Sequence, residues 1–410
     1  MFVELELGWM AHPFPTGSFR ISSDKQIEEI RALGLAQVRY LPAKSDPPVE
    51  EGRTQPATDD AAVQERGREA RSRRAAQIVA QQRSLKVCEQ KFDAAQQQYR
   101  DVQDDLLAHP LAARDQCVAM ISGFVEEMAC DGDSAIRLLS EGVGERAAMH
   151  PVNVAVMSLL LGRAMGLPRQ DLLDLGVAAF LHDIGKLQLP PRVRWFDDKF
   201  TSDDFKQYQE HVDKGVAVAG RMQLSEGAVM AIAQHHELMD GSGFPARPPG
   251  SELTLPARIL ALTNRYDNLC NSPRPGSTCT PHEALSRIFA QHKARYDNVV
   301  LSAFIRMMGV YPPGSVVELI DGRFALVVSV NSDRPLKPRV IVHEPSVTRH
   351  EALILDLENQ PGIGIRRSLK PASLPADAHD YLAPRHRITY FFENLRDGAA
   401  FDDTTGWGSA

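Results

Sequence analysis

Between residues 171 and 185 the chain is apolar on nearly every helical face (Leu172, Leu173, Leu175, Val177, Ala178, Phe180, Leu181), and it ends in His182-Asp183-Ile184-Gly185-Lys186. A helix without a polar face belongs at the centre of a bundle. An imidazole, a carboxylate and an ammonium at its buried end are costly unless they pair with one another or bind a metal. This one segment therefore demands a helical domain large enough to surround it.

Five of the 13 histidines fall between residues 150 and 236, and three of those five adjoin a carboxylate. Val229 and Ile232 mark the inner stripe of a second helix, and His235 and His236 follow Ile232 by three and four residues, on the same inward side. One histidine on an apolar face is usually a satisfied core residue. Two adjacent ones with a third pointing inward from elsewhere indicate metal binding. Imidazole with carboxylate is the ligand set of iron, manganese, zinc and similar ions, and an aspartate can bridge two of them. A bridged pair suits phosphate-ester hydrolysis, because it acidifies water and neutralises charge on the phosphate.

Of the 410 residues, 43% are hydrophobic and 24% charged, which is globular composition with room for two or three folded units. A formal charge of -7 gives no general affinity for nucleic acid or an anionic membrane, so an anionic substrate needs a locally positive site. Five cysteines without a C-x-x-C spacing indicate neither a zinc ribbon nor a disulfide framework. With no secretory-type start and no apolar stretch long enough to span a bilayer, the chain reads as cytoplasmic.

The expected fold is mainly α, a helical bundle with a small N-terminal α/β domain, a long linking helix and a small C-terminal antiparallel β extension. Residues 1–45 read as a small α/β regulatory domain, with strands at 2–7 and 36–41 around a helix at 23–33. Residues 46–60 read as a linker and 61–112 as one long polar helix. That helix has too narrow an apolar stripe to stand alone, so it should pair with itself in a homodimer or lie on the next domain. Its arginines alternate with glutamates, the pattern of a solvated face rather than of nucleic-acid binding. Residues 113–310 form an all-α catalytic domain. Residues 311–395 turn to period two, with a hairpin at Asp321-Gly322, and 396–410 form a flexible tail.

The motifs His182-Asp183-Ile184-Gly185-Lys186, His235-His236-Glu237 and Asp240-Gly241-Ser242-Gly243-Phe244-Pro245, followed by Ala257-Arg258-Ile259 and Tyr266-Asp267, resemble in order and separation the HD-GYP subgroup of HD-domain metal-dependent phosphohydrolases. The N-terminal Leu7-Gly8-Trp9 and His12-Pro13-Phe14 are similar to an uncharacterised domain that often precedes such enzymes. The resemblance implies hydrolysis of cyclic di-GMP to linear pGpG or GMP, with two divalent ions, iron or manganese. It implies His150, His182 and Asp183 as ligands of the first ion, and His211, His235 and His236 as ligands of the second, with Asp183 bridging and a bound hydroxide as nucleophile. Lys186 would steady the phosphate or the hydroxide as a charge. Gly243, Phe244 and Arg274 would meet the substrate, unless Arg274 is an ordinary loop arginine. Glu237, Asp240 and Arg258 would orient ligands and loops.

Four positions depart from the family pattern. Asn264 stands where an aspartate ligand is usual, so the first site should bind less tightly or draw on Asp267 on the same helical face. Arg146 replaces a glutamate that holds a third ion, which implies two metals. Phe244 replaces a tyrosine and keeps only its ring. Ser277 replaces an often basic residue. Asn264, Ser277 and Phe244 motivate a second expectation, a catalytically weak or inactive cyclic di-GMP receptor or adaptor that meets a partner such as a diguanylate cyclase domain. A third, an HD enzyme acting on another nucleotide, is disfavoured by residues 240–245. A serine nucleophile elbow and a P-loop are both absent from the sequence. Met1-Phe2-Val3 begins where the family's first strand usually ends in a Gly-Met step, so the native start is expected upstream. Intact mass placing Met1 at the native terminus would end that idea.

Overall fold

A computed structural model of the protein describes residues 2–5, 18–33, 35, 37–41, 44–45, 58–129, 134–142, 146–272, 277–330 and 336–394. The expected linker and tail, the two N-terminal motifs and Arg274 lie outside the described residues for all or most of their length, as does the side chain of Arg146. Two compact units are formed, Met1–Ala70 and Arg71–Ala410.

In the first unit β1 (Phe2–Glu4), β2 (Ser18–Arg20), α1 (Asp24–Ala32) and β3 (Arg39–Tyr40) build an antiparallel sheet in the order β2-β1-β3. Val3, Leu5 and Ile30 form its core, with Phe19, Ile21, Leu33, Leu35 and Val38 packed around them. The strand–helix–strand expectation omitted β2, because three residues are too few to display an alternation.

The helix α2 (Thr58–Asp105) has no proline to stop it until His109-Pro110, where α3 (Pro110–Ala129) begins. Within the second unit Cys88, Phe92, Ala95, Tyr99, Val102 and Leu106 recur every three or four residues, and all are buried. The narrow stripe thus lies on the helical domain, one of the two outcomes it allowed. Tyr99 meets Phe180 edge to face at 5.2 Å.

Residues 113–310 are not all helical. Ser134–Leu138 is a strand, β4, which the surrounding helical patterns concealed in the sequence reading. Ala135, Ile136, Arg137 and Leu138 are all buried, so no alternation marks the strand, and it is read instead by its partners. The helices α4 (Arg146–Ala164), α5 (Arg169–Leu181), α6 (Ser202–Arg221), α7 (Glu226–Gln234), α8 (Leu255–Cys270), α9 (Pro281–His292) and α10 (Asn298–Met308) follow. Capping boxes at Thr201/Asp204 and Thr280/Glu283 set the starts of α6 and α9, satisfying otherwise orphaned backbone groups.

Beyond α10 the chain is β-rich as expected: β5 (Val316–Leu319), β6 (Phe324–Val330), β7 (Arg339–Val342), β8 (Ile354–Asp356) and β9 (Ile365–Leu369), then a short helix α11 (Ala376–Leu382) and β10 (Tyr390–Asn394). The sheet runs β10-β4-β6-β5-β9, with β7 joining β6 to β8, and every pairing is antiparallel. Phe391 pairs with Arg137 across β10 and β4, and the buried Arg137 guanidinium donates to Glu393 at 3.0 Å. Sheet and helices share one core, which runs from α2 through α5 and α8 to Tyr390 and Phe391. Phe92 is fully buried in that core. Phe92→Ala should cost about 3–5 kcal/mol in a urea unfolding titration, whereas a value near zero would mean that α2 docks only loosely.

Candidate metal centre

The site begins with a close backbone approach. A Cβ added at Gly185 would stand 2.0 Å from the His211 carbonyl oxygen and 2.5 Å from the Gly215 nitrogen, so only glycine lets the 3₁₀ turn Ile184–Gln188 lie directly on α6. That contact brings Asp183, between α5 and the turn, alongside His211. Gly243 acts likewise: its missing Cβ would stand 2.5 Å from the His236 carbonyl and 2.6 Å from the Glu237 Cα, which presses the Gly243-Phe244 loop onto the end of α7.

His150 comes from α4, His182 and Asp183 from the end of α5, His211 from α6, and His235 and His236 from the end of α7. The potential ligand atoms form two groups that share Asp183. His150, His182 and Asp183 make one; Asp183, His211, His235 and His236 make the other, all atoms within each lying inside 4.8 Å. His150 and His182 Nε2 lie 3.6 and 3.4 Å from Asp183 Oδ2, while His211 and His235 Nε2 lie 3.7 and 3.9 Å from Oδ1. Lys186 Nζ donates to Oδ2 at 2.6 Å and stands over the rings of Trp195 and Tyr208 at 5.5 and 5.4 Å.

The second ring nitrogen of each of four histidines fixes its tautomer. His182, His211 and His235 donate from Nδ1 to the carbonyl oxygens of Ala179, Tyr208 and Ile232, and His150 Nδ1 donates to Asp267 Oδ2 at 2.6 Å. Carbonyl and carboxylate oxygens only accept, so each Nδ1 carries a proton, and in the neutral ring each Nε2 then keeps the lone pair. Yet His150 and His182 Nε2 face each other at 3.2 Å, and His211 and His235 Nε2 at 3.3 Å. Facing lone pairs repel unless a cation sits between them. Two nitrogens bound about 2.1 Å from one ion at about 90–110° would stand about 3.0–3.4 Å apart, which these pairs match. Asp183 Oδ1 and His236 Nε2 are buried without a hydrogen-bond partner, the condition of ligand atoms that await an ion.

Charge states agree with that reading. Burial alone would raise the Asp183 pKa, but Lys186 and His182 hold it well below the ordinary carboxylate range. Burial pushes His235 and His236 well below the ordinary imidazole value, and burial with the Lys186 charge takes His211 from 6.5 to about 4. Asp183 is thus held ionised and His211, His235 and His236 neutral, the donor state that divalent ions require.

The remaining sequence candidates take varied places. Asp267 orients His150 and is itself held through Oδ1 by Asn153 and Asn271 at 2.8 and 2.9 Å. Both amides also donate to the Ile388 carbonyl, and Asn153 accepts from Tyr390, so the approach to β10 steadies this ligand. Asn264 accepts from Asn268 at 2.6 Å while lining the adjoining cleft. Glu237 Oε1 accepts from the Ala246 and Arg247 amides, and Asp240 accepts from Ser242. Arg258 binds Asp297, Leu253 and Gly250, bracing the loop before α8. Phe244 stacks on His236 with centroids 4.4 Å apart, a contact the ring makes without a hydroxyl. The Gly243 carbonyl accepts from Arg247.

Sequence reasoning did not single out Asn153, Asn271, Tyr208 or Trp195. The first three stand three or four residues from His150, Asp267 and His211 on the same helical sides, a signal that could have found them. Nothing local marks Trp195. A cleft of about 520 Å³ opens beside the centre, lined by Lys186, Trp195, Tyr208, His235, His236 and Phe244 among others.

Residues 132–300 match a family described as HD domain, and residues 1–117 match a domain of unknown function, DUF3391. A cyclic di-GMP phosphodiesterase of Pseudomonas aeruginosa is 27% identical over 362 residues, 83% of this chain and 82% of that protein. A cyclic di-GMP phosphodiesterase response regulator of Xanthomonas campestris is 30% identical over 36% of this chain and 39% of its own length. A 3'3'-cGAMP-specific phosphodiesterase of Vibrio cholerae is 30% identical over 32% of this chain and 25% of its own. Among solved structures, an HDG"Y"P protein from Bdellovibrio bacteriovorus covers 51% of this chain and 68% of its own at 16% identity, with a TM-score of 0.42. No helix among the described residues is long and apolar enough to cross a membrane.

Two predictions follow from the packing and the charge states. Gly185→Ala should lower metal content measured by plasma mass spectrometry, because its methyl forces the turn off α6; full metal content would show that the close approach is dispensable. In metal-free protein the unfolded chain protonates its histidines near 6.5 while folded His211 resists until about 4. Protons therefore favour unfolding in that window. Thermal stability of the metal-free protein should fall as the pH is lowered between those values, and His211→Gln should lessen the slope without abolishing it, because His235 and His236 are depressed as well.

Proposed function

The chain belongs to the HD-domain proteins, with a DUF3391 domain ahead of its HD domain, and on that premise we propose that it is a metal-dependent phosphodiesterase that opens cyclic di-GMP to pGpG or GMP. The observation that carries this reading is the pair of facing Nε2 lone pairs, at 3.2 and 3.3 Å on either side of Asp183. Their relatives' substrates supply the choice of cyclic di-GMP.

His150, His182 and Asp183 would hold one ion, and Asp183, His211, His235 and His236 the other, iron or manganese on this donor set. Two such ions would bring the pKa of bound water down toward neutrality and draw charge from a phosphodiester's oxygens. The chain's own residues do the rest. Asp267, held by Asn153 and Asn271, keeps the His150 lone pair aimed inward. Lys186, whose contact with Asp183 holds its pKa above the ordinary value against burial, stays an ammonium and can meet a phosphate oxygen but cannot serve as a base. Trp195, Tyr208 and Phe244 give the cleft aromatic faces on which a nucleobase can stack.

A specific observation favours the receptor reading as the second: the Asn264 oxygen is engaged by Asn268, which leaves the first ion fewer ligands. Metal-loaded protein incubated with cyclic di-GMP, with products resolved by chromatography, decides between them. Turnover should appear, and His182→Ala with Asp183→Ala should cut it by about three orders of magnitude, equivalent to about 4 kcal/mol of barrier. Tight binding without turnover would establish the receptor. Metal analysis of protein purified without oxygen should find about two ions per chain in the wild type.

A further inference from the structure

The cleft beside the histidines carries more positive charge than one phosphodiester uses. Lys186, Arg265 from α8, Arg287 from α9 and Arg295 from the turn Lys293–Arg295 all line it, and Asp198 is the one carboxylate among the described lining residues. This excess of cations sits in a chain whose formal charge is -7. Among the described residues neither Arg265 nor Arg287 has a side-chain hydrogen bond or ion pair. Arg295 reaches only Asp240, at 3.8 Å, while its carbonyl accepts from Met239 at 2.9 Å and so ties its turn to the Gly243-Phe244 loop.

The three guanidiniums come from separate elements yet act on one place. Burial of His292, and the charges of Arg295, Arg265 and Arg287 around it, hold that imidazole below its ordinary pKa. Among the described residues Asp240, 3.8 Å from Arg295, is the one carboxylate in ion-pair contact with the three, so their like charges are only partly offset, and permanently charged guanidinium forks suit phosphate oxygens.

We propose that Arg265, Arg287 and Arg295 hold the second phosphodiester of a dinucleotide whose first phosphodiester lies at the metal centre, which makes them specificity determinants for ligands with two phosphates. This rests on the phosphodiesterase reading for its ligand class, but not on turnover. The structure thereby separates two tasks in one cleft: the histidines and Asp183 act on the bond to be cut, and the arginines measure whether a second phosphate is present.

The test uses the full-length, metal-loaded protein, with metal content and melting temperature checked for each variant. Calorimetry measures binding of the non-hydrolysable bisphosphorothioate analogue of cyclic di-GMP and, separately, of GMP. Arg265→Gln with Arg287→Gln should weaken the analogue by about tenfold or more and GMP by far less, since two charge-assisted contacts are lost from one ligand only. The slope of log Kd against log salt should become shallower, and Arg265→Lys with Arg287→Lys should restore the slope. Equal losses for both ligands, no loss, or no binding of the analogue to the wild type would each overturn the proposal. Wild-type hydrolysis of cyclic di-GMP together with an unchanged variant Kd sinks the arginine role alone. Arginine-dependent binding without hydrolysis sinks the phosphodiesterase reading alone.

Discussion

Four imidazoles whose outer nitrogens are committed to backbone or carboxylate acceptors turn their Nε2 atoms inward, around Asp183. Everything else in the second unit serves to hold that arrangement. Left to itself it is electrostatically poor: lone pairs face lone pairs and a carboxylate oxygen is buried without a donor. The protein tolerates it because α4, α5, α6 and α7 are locked in a shared core, so the ligand atoms cannot relax apart. Cations convert that stored cost into binding energy.

The packing that locks the helices reaches well beyond the bundle. Along its second half α2 buries a stripe against the domain, with Tyr99 on Phe180 two residues before His182. On another side β4 and β10 bring Ile388 and Tyr390 to Asn153 and Asn271, which hold Asp267 against His150. The C-terminal β-rich segment is thereby joined to the candidate metal centre through two amides, which orient Asp267 against His150. The aromatic contacts around Phe244, Tyr208 and His236 shape the cleft mouth and leave the hydroxyl absent at Phe244 without a structural consequence for the stack.

Much of this was legible in the chain. The apolar helix ending in His182-Asp183, the inward pair His235-His236 and the Asp321-Gly322 hairpin all announce themselves through local periodicity, because burial of a helix face or strand imposes a repeat on the residues themselves. What failed to show was of another kind. Strand β4 is buried throughout and so has no alternation to read, and β2 is too short to display one. Asn153 and Asn271 are ordinary asparagines in sequence, and their importance comes from partners 114 and 117 residues away. Arg265, Arg287 and Arg295 carry no shared local pattern, since they lie on three different elements that only the fold sets along one cleft.

The amino-acid sequence by itself determined the ligand chemistry, the helical surroundings it needs and the glycines that allow close approach, since those depend on side-chain type and on spacing within a few turns. Only the tertiary structure decided which nitrogen of each histidine faces inward, that Asp267 orients His150, and that three separate guanidiniums share one cleft. Those outcomes depend on distances between residues far apart in the chain, and such distances are set by how the helices and the sheet close around a common core.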